Sequence, residues 1–87
     1  MAVKPQILAI SDNADILIGL ALTGALTKMA CSPDELCRVM EEISEDIVLV
    51  IVTSGLAARS ADILGQYRER SHYPLVTVIP EPSDIVI

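Results

Sequence analysis

The sequence predicts an α/β fold, a four-stranded parallel sheet with helices on both faces. Three observations lead there. The stretches Gln6–Ile10, Ile47–Val52 and Leu75–Ile79 are largely apolar runs of strand length, rich in β-branched residues. Neither Gln6–Ile10 nor Ile47–Val52 alternates apolar with polar residues as a half-solvated strand does, so the central strand Ile47–Val52 is expected to be covered on both faces. The segments between them carry helix signals, which makes the order strand, helix, strand, helix, strand, helix, strand. Right-handed crossovers turn that order into a doubly wound parallel sheet.

The first strand, Gln6–Ile10, runs into Ser11-Asp12-Asn13, a cluster of turn and capping residues. Asp12 or Asn13 is placed to accept from the free amides of a helix from Ala14 to about Thr23. Gly24 then stands where a C-terminal cap glycine belongs. This helix is apolar nearly all round, through Ile16, Leu17, Ile18, Leu20, Ala21 and Leu22. A surface helix needs a single apolar stripe, so either it is wedged deeply or one face meets another chain.

Ala25–Ala30 is short and partly polar and reads as a strand at the sheet edge. Ser32-Pro33-Asp34-Glu35 is the clearest local signal: Ser32 as N-cap, Pro33 at the first helical position, and Glu35 closing a capping box. Leu36, Met40 and Ile43 follow at helical spacing, with Val39 beside them and Arg38, Glu41, Glu42 and Glu45 towards solvent. The six-residue run Ile47–Val52 is the central strand. Thr53-Ser54 ends it and is expected to cap a short helical turn, Leu56–Arg59. Ser60-Ala61-Asp62 restarts the helix with Ile63, Leu64 and Tyr67 inward, and Ser71-His72 breaks it. Pro74 biases Tyr73 towards extended backbone, the fourth strand is Leu75–Ile79, and Pro80-Glu81-Pro82 marks an exit loop. The last residues, Asp84–Ile87, are apolar enough to be expected to dock. In the flavodoxin-like arrangement the strand order is 2-1-3-4, with the first and third strands central.

Length and composition narrow the function. The 87 residues make one domain, 1–87, and a chain of this size buries roughly 60–65% of its extended surface. Apolar residues make up 52% of it, with no Phe or Trp and two Tyr, so the core is built from Ile, Leu, Val and Ala. A net charge of −6, with six basic residues among twelve acids, does not form the clustered basic surface that nucleic acid requires. The aromatic platforms of RNA-reading sheets are also absent. Cys31 and Cys37 are spaced unlike a zinc knuckle or a redox pair and are expected to be reduced thiols. No signal peptide is expected at the N-terminus. The apolar runs fall short of the roughly 20 residues that cross a membrane, so the chain is expected to be cytoplasmic and to meet a membrane only through a partner.

The strand ends, where a doubly wound sheet places its ligands, offer Ser11, Asp12 and Asn13 after the first strand and Thr53, Ser54 and Gly55 after the third. A phosphoryl-accepting receiver would need further acids and a late Lys there; only Asp12 is in place, and no Lys follows Lys28. Neither G-x-G-x-x-G nor G-x4-G-K-[ST] occurs. His72 is the sole histidine and has no clustered carboxylates to share a metal with. Thr53 and Ser54 have no identifiable base. The expectation is therefore no catalytic, cofactor-binding or metal-binding residue, and no cofactor.

Several segments together resemble the F subunit of the V/A-type ATPases and ATP synthases. They are Ile7-Leu8-Ala9-Ile10-Ser11-Asp12, the helix with Gly19-Leu20-Ala21-Leu22-Thr23-Gly24, the strand Asp46–Thr53, and Tyr67-Arg68 with Tyr73-Pro74-Leu75-Val76-Thr77-Val78-Ile79-Pro80. The likeness covers about residues 6–80 in the right order. It implies a non-catalytic central-stalk subunit that binds the coiled-coil shaft, the D subunit of such complexes. This kind of stalk component turns with the shaft, coupling ATP hydrolysis or synthesis to proton or sodium transport. The resemblance also implies a location peripheral to the membrane as part of the complex. Three departures stand out. Ala21 replaces an Arg of the family's helix pattern, and Thr53-Ser54-Gly55 replaces a Thr-Glu turn. Ending at Ile87, the chain is expected to lack the family's C-terminal helix. Two other readings stay open: a self-associating scaffold that forms a homodimer in isolation, and a receiver-like signalling domain acting through Asp12.

Overall fold

The computed structural model describes residues 6–69 and 74–80. Eight elements follow in order: strand β1 (Gln6–Ser11), helix α1 (Ala14–Ala21), strand β2 (Leu26–Met29), helix α2 (Pro33–Glu41), strand β3 (Ile47–Thr53), helices α3 (Ser54–Arg59) and α4 (Ala61–Arg68), and strand β4 (Leu75–Ile79). The sheet order is β2-β1-β3-β4 and every pairing is parallel. The predicted α/β architecture and its 2-1-3-4 order are those observed.

The capping chemistry places the helices. Asn13, rather than Asp12, caps α1: its Oδ1 accepts from the amides of Asp15 at 2.9 Å and Ile16 at 3.4 Å. The helix stops at Ala21, two residues short of the expected Thr23, because a turn closes there. The Gly24 amide donates to the Ala21 carbonyl at 3.0 Å, and Gly24 takes a φ of +98° that other residues rarely adopt. Before α2, Ser32 Oγ accepts from the Glu35 amide at 3.2 Å. Glu35 returns the bond one residue earlier than in the standard capping box, accepting from the Cys31 amide at 2.9 Å.

The core lies between the sheet and α2, α3 and α4. Leu8, Ile10, Val50, Val52 and Val76 point into it from the strands and meet Leu36, Met40, Leu56, Leu64 and Tyr67. Registers Leu8↔Val50 and Ile10↔Val52 put these side chains on one face. The opposite face carries Ile7, Ala9 and Ser11 of β1 and Leu49, Ile51 and Thr53 of β3, and α1 packs on it through Leu17.

The expectation that β3 is covered on both faces is corrected here. Val48 is 52% exposed, and Leu49 and Ile51 are half-buried. Two causes are visible. The pairing slips between Gln6↔Ile47 and Ile7↔Leu49, which leaves Val48 as the extra residue of a bulge. Right-handed crossovers also send α2, α3 and α4 to one face and α1 alone to the other, where it packs on β1 and β2. The β3–β4 half of that second face has no helix above it among the described residues. Cys31 is exposed, Cys37 is half-buried, and both are free thiols. His72, Tyr73, the end of the exit loop and Asp84–Ile87 lie outside the described residues.

Tyr67 ties α4 to α2. Its hydroxyl donates to Glu41 Oε1 and lies 3.8 Å from Cys37 Sγ. Burial, and then the bond to Glu41, hold the phenol above its ordinary value near 10. The unfolded chain therefore ionises first as pH rises. The Tyr67 contribution to stability is complete below about pH 10 and is lost as pH climbs towards the folded value. Urea unfolding from pH 7 to 11 is expected to show that alkaline loss, and Tyr67→Phe to flatten it. At pH 7 the same substitution is expected to cost about 1 kcal/mol, the worth of one hydrogen bond.

Candidate functional site

The carboxyl ends of β1 and β3 meet at the centre of the sheet, and the polar residues singled out in the sequence gather there. Ser11 is the last residue of β1 and is fully buried. Its Oγ accepts from the Asn13 amide at 3.0 Å and from Thr53 Oγ1 at 2.9 Å. Thr53, the last residue of β3, is 1% exposed and makes no side-chain bond to the helix that follows. The capping role expected of it is thus corrected: its hydroxyl crosses to the neighbouring strand and locks the two strand ends together. Thr53 is also closed to solvent as a nucleophile. Ser60 precedes α4, but its buried hydroxyl caps nothing and has no partner among the described residues.

Above this buried pair sits a charged layer. Arg59, at the end of α3, forms an ion pair with Asp12. It also donates from Nη1 to the Cys31 carbonyl at 3.3 Å and from Nε to the Gly55 carbonyl at 3.4 Å. One guanidinium thereby joins the segments that leave β1, β2 and β3. The fork geometry of Arg suits this, because several donors diverge from one plane. Both side chains of the ion pair remain accessible, at 49% for Arg59 and 30% for Asp12.

Sequence reasoning gathered Ser11, Asp12, Asn13 and Thr53 correctly but missed Arg59. The signal available was slight: a single cation one turn into a helix that starts at the third strand end. The structure gives Asp12 an arginine partner instead of the acidic cluster a receiver requires. Among the described residues no group of three or more His, Cys, Asp and Glu side chains stands close enough to hold a metal. The strand ends form a polar rim on which the Arg59–Asp12 pair stays accessible.

A second feature lies on the α1 side of the sheet. A groove of about 270 Å³ runs between α1 and the sheet, lined by Ile7, Leu20, Ala25 and Ile51 among others. Beyond it α1 presents Ile18 and Leu22 outward. No described helix is long and apolar enough to cross a membrane.

In a comparison with known families, the family described as ATP synthase (F/14-kDa) subunit matches residues 7–85. Comparison with curated proteins and with solved structures gives no match.

Proposed function

The chain belongs to the family of the ATP synthase (F/14-kDa) subunit, the F subunit of V/A-type ATPases, and we propose that it is a non-catalytic component of the central stalk. Members of this family are accessory to the ATPase complex. In our reading this chain binds the coiled-coil shaft, the D subunit, and turns with it, so that ATP hydrolysis or synthesis is coupled to proton or sodium transport. It sits on the cytoplasmic side, peripheral to the membrane, reaching it only through other subunits. We read residues 1–87 as one α/β domain that carries no catalytic or cofactor site.

The observation that carries this reading is the family match across nearly the whole chain, including both strand ends. The rim supports the mode of binding. Arg59 and Asp12 are accessible and held in fixed positions by bonds to three segments. Groups fixed in advance lose little freedom on docking. A coiled-coil shaft, with charged side chains flanking its apolar seam, is a surface that such a rim can read.

The test is co-purification with the shaft. The wild-type chain is expected to be retained as a stable complex. Arg59→Ala and Asp12→Ala are each expected to weaken retention about tenfold, roughly 1.4 kcal/mol. Neither is expected to change folding stability by more than about 1 kcal/mol, since the pair is solvent-accessible. A chain that stays apart from the shaft contradicts the proposal.

A further inference from the structure

We propose, resting on the stalk reading above, that the Arg59–Asp12 pair reads a helix of the shaft that carries one acidic and one basic side chain a single turn apart. The acid meets Arg59 and the base meets Asp12.

The donors and acceptors of the pair can be counted. A guanidinium has five N–H groups. Arg59 spends three of them inside the chain: Nε on the Gly55 carbonyl, Nη1 on the Cys31 carbonyl and Nη2 on Asp12 Oδ2. One N–H on each Nη is left over. Asp12 accepts through Oδ2, and its Oδ1 has no partner among the described residues. The two side chains are 49% and 30% exposed, so the spare groups are hydrated in the free chain. Two of the Arg59 bonds go to backbone carbonyls. They hold the guanidinium independently of Asp12, and the donor end and the acceptor end keep their order along the rim.

These spare groups decide what can cover the pair. A surface that closes over it takes water from two N–H groups and one carboxylate oxygen. Each polar group left dry and unmatched costs roughly tenfold or more in affinity. An apolar patch therefore satisfies neither end. A partner offering acid alone sets a like charge against Asp12. Glu35 sharpens this, because it bonds the amide of Cys31, the residue whose carbonyl Arg59 holds; two carboxylates thus share the surroundings of one guanidinium. A partner offering base alone sets a cation against the Arg59 donors.

A surface with both signs matches, provided that its acid and base are as close together as Arg59 and Asp12. Residues at i and i+4 of a helix meet that demand, with Cβ atoms about 5–6 Å apart. The charged positions that flank the apolar seam of a coiled coil supply such pairs repeatedly. Like charges brought together across an interface disfavour the wrong arrangement, so the pair also selects the direction in which the chain docks along the shaft.

Calorimetric titration of the full chain into the isolated shaft subunit tests this. Asp12→Asn keeps the shape of the side chain, removes its charge, and is expected to weaken binding about fivefold. The exchange of Asp12→Arg with Arg59→Glu in one chain keeps an ion pair but reverses its order. That exchange is expected to weaken binding by about 100-fold, because both contacts with the shaft become like-charged. Both variants are expected to keep the circular dichroism spectrum of the wild type, and Asp12→Asn, the closer match in shape, carries the test if the exchanged chain does not fold. Binding by the exchanged chain within about threefold of the wild type overturns the proposal. Asp12→Asn binding as tightly as the wild type, or more tightly, overturns it too, since the partner then brings acid alone. A wild-type chain that does not bind takes the stalk reading down with it. A wild-type chain that binds, with variants that bind equally well, overturns this proposal alone.

Discussion

Leu36→Ala is expected to lower the stability of the chain by about 3 kcal/mol, the usual cost of emptying a fully buried leucine site. Leu36 is completely inaccessible and sits one turn before Met40 on the inner face of α2. It joins the cluster that includes Ile10, Val52 and Leu56. The one large ring of that cluster, Tyr67, is tied to Glu41 through its hydroxyl, which restrains it from tilting into the cavity. A chain of this length has a total stability of roughly 4–13 kcal/mol, and the loss is a large share of it. The melting temperature is expected to fall by on the order of 15 °C. Thermal unfolding followed by circular dichroism measures this directly; a fall of less than about 3 °C would mean that Leu36 is not part of the core.

Ser11→Ala is expected to be the next most damaging single change, at about 2 kcal/mol. The substitution removes almost no volume, but it strips the acceptor from two donors. The Thr53 hydroxyl, 1% exposed, is left buried without its partner, and an unmatched buried polar group costs about 1–3 kcal/mol. The Asn13 amide loses its bond as well. Thr53→Val is expected to cost less, because the Ser11 hydroxyl keeps the Asn13 amide. The double substitution should therefore be less harmful than the sum of the two, by about 1 kcal/mol. Strict additivity in a urea-unfolding cycle would show that the two hydroxyls do not interact.

The architecture was legible because each local signal agreed with the global one. Ser32-Pro33-Asp34-Glu35 opened α2 where expected, and Gly24 closed the turn after α1 with the positive φ that glycine tolerates. The apolar runs became strands in the predicted order. What was not legible depended on the third dimension. Runs such as Ile47–Val52 carry no record of which face receives a helix, and the bulge at Val48 has no local residue signal. The sequence does not distinguish a threonine that caps the next helix from one that reaches across to a neighbouring strand; for Thr53 the distance to Ser11 decided it. Arg59 was invisible for the same reason, as its partners Asp12 and Cys31 lie 47 and 28 residues away along the chain. The apolar girdle of α1, by contrast, was plain from the start: Leu17 is buried against the sheet, and Ile18 and Leu22 remain exposed.

The most direct measurement is a calorimetric titration of the full chain into the isolated coiled-coil shaft. A one-to-one complex with a submicromolar Kd is predicted, weakened about tenfold by Arg59→Ala. Absence of binding at concentrations up to about 100 µM would contradict the assignment of this chain to the central stalk.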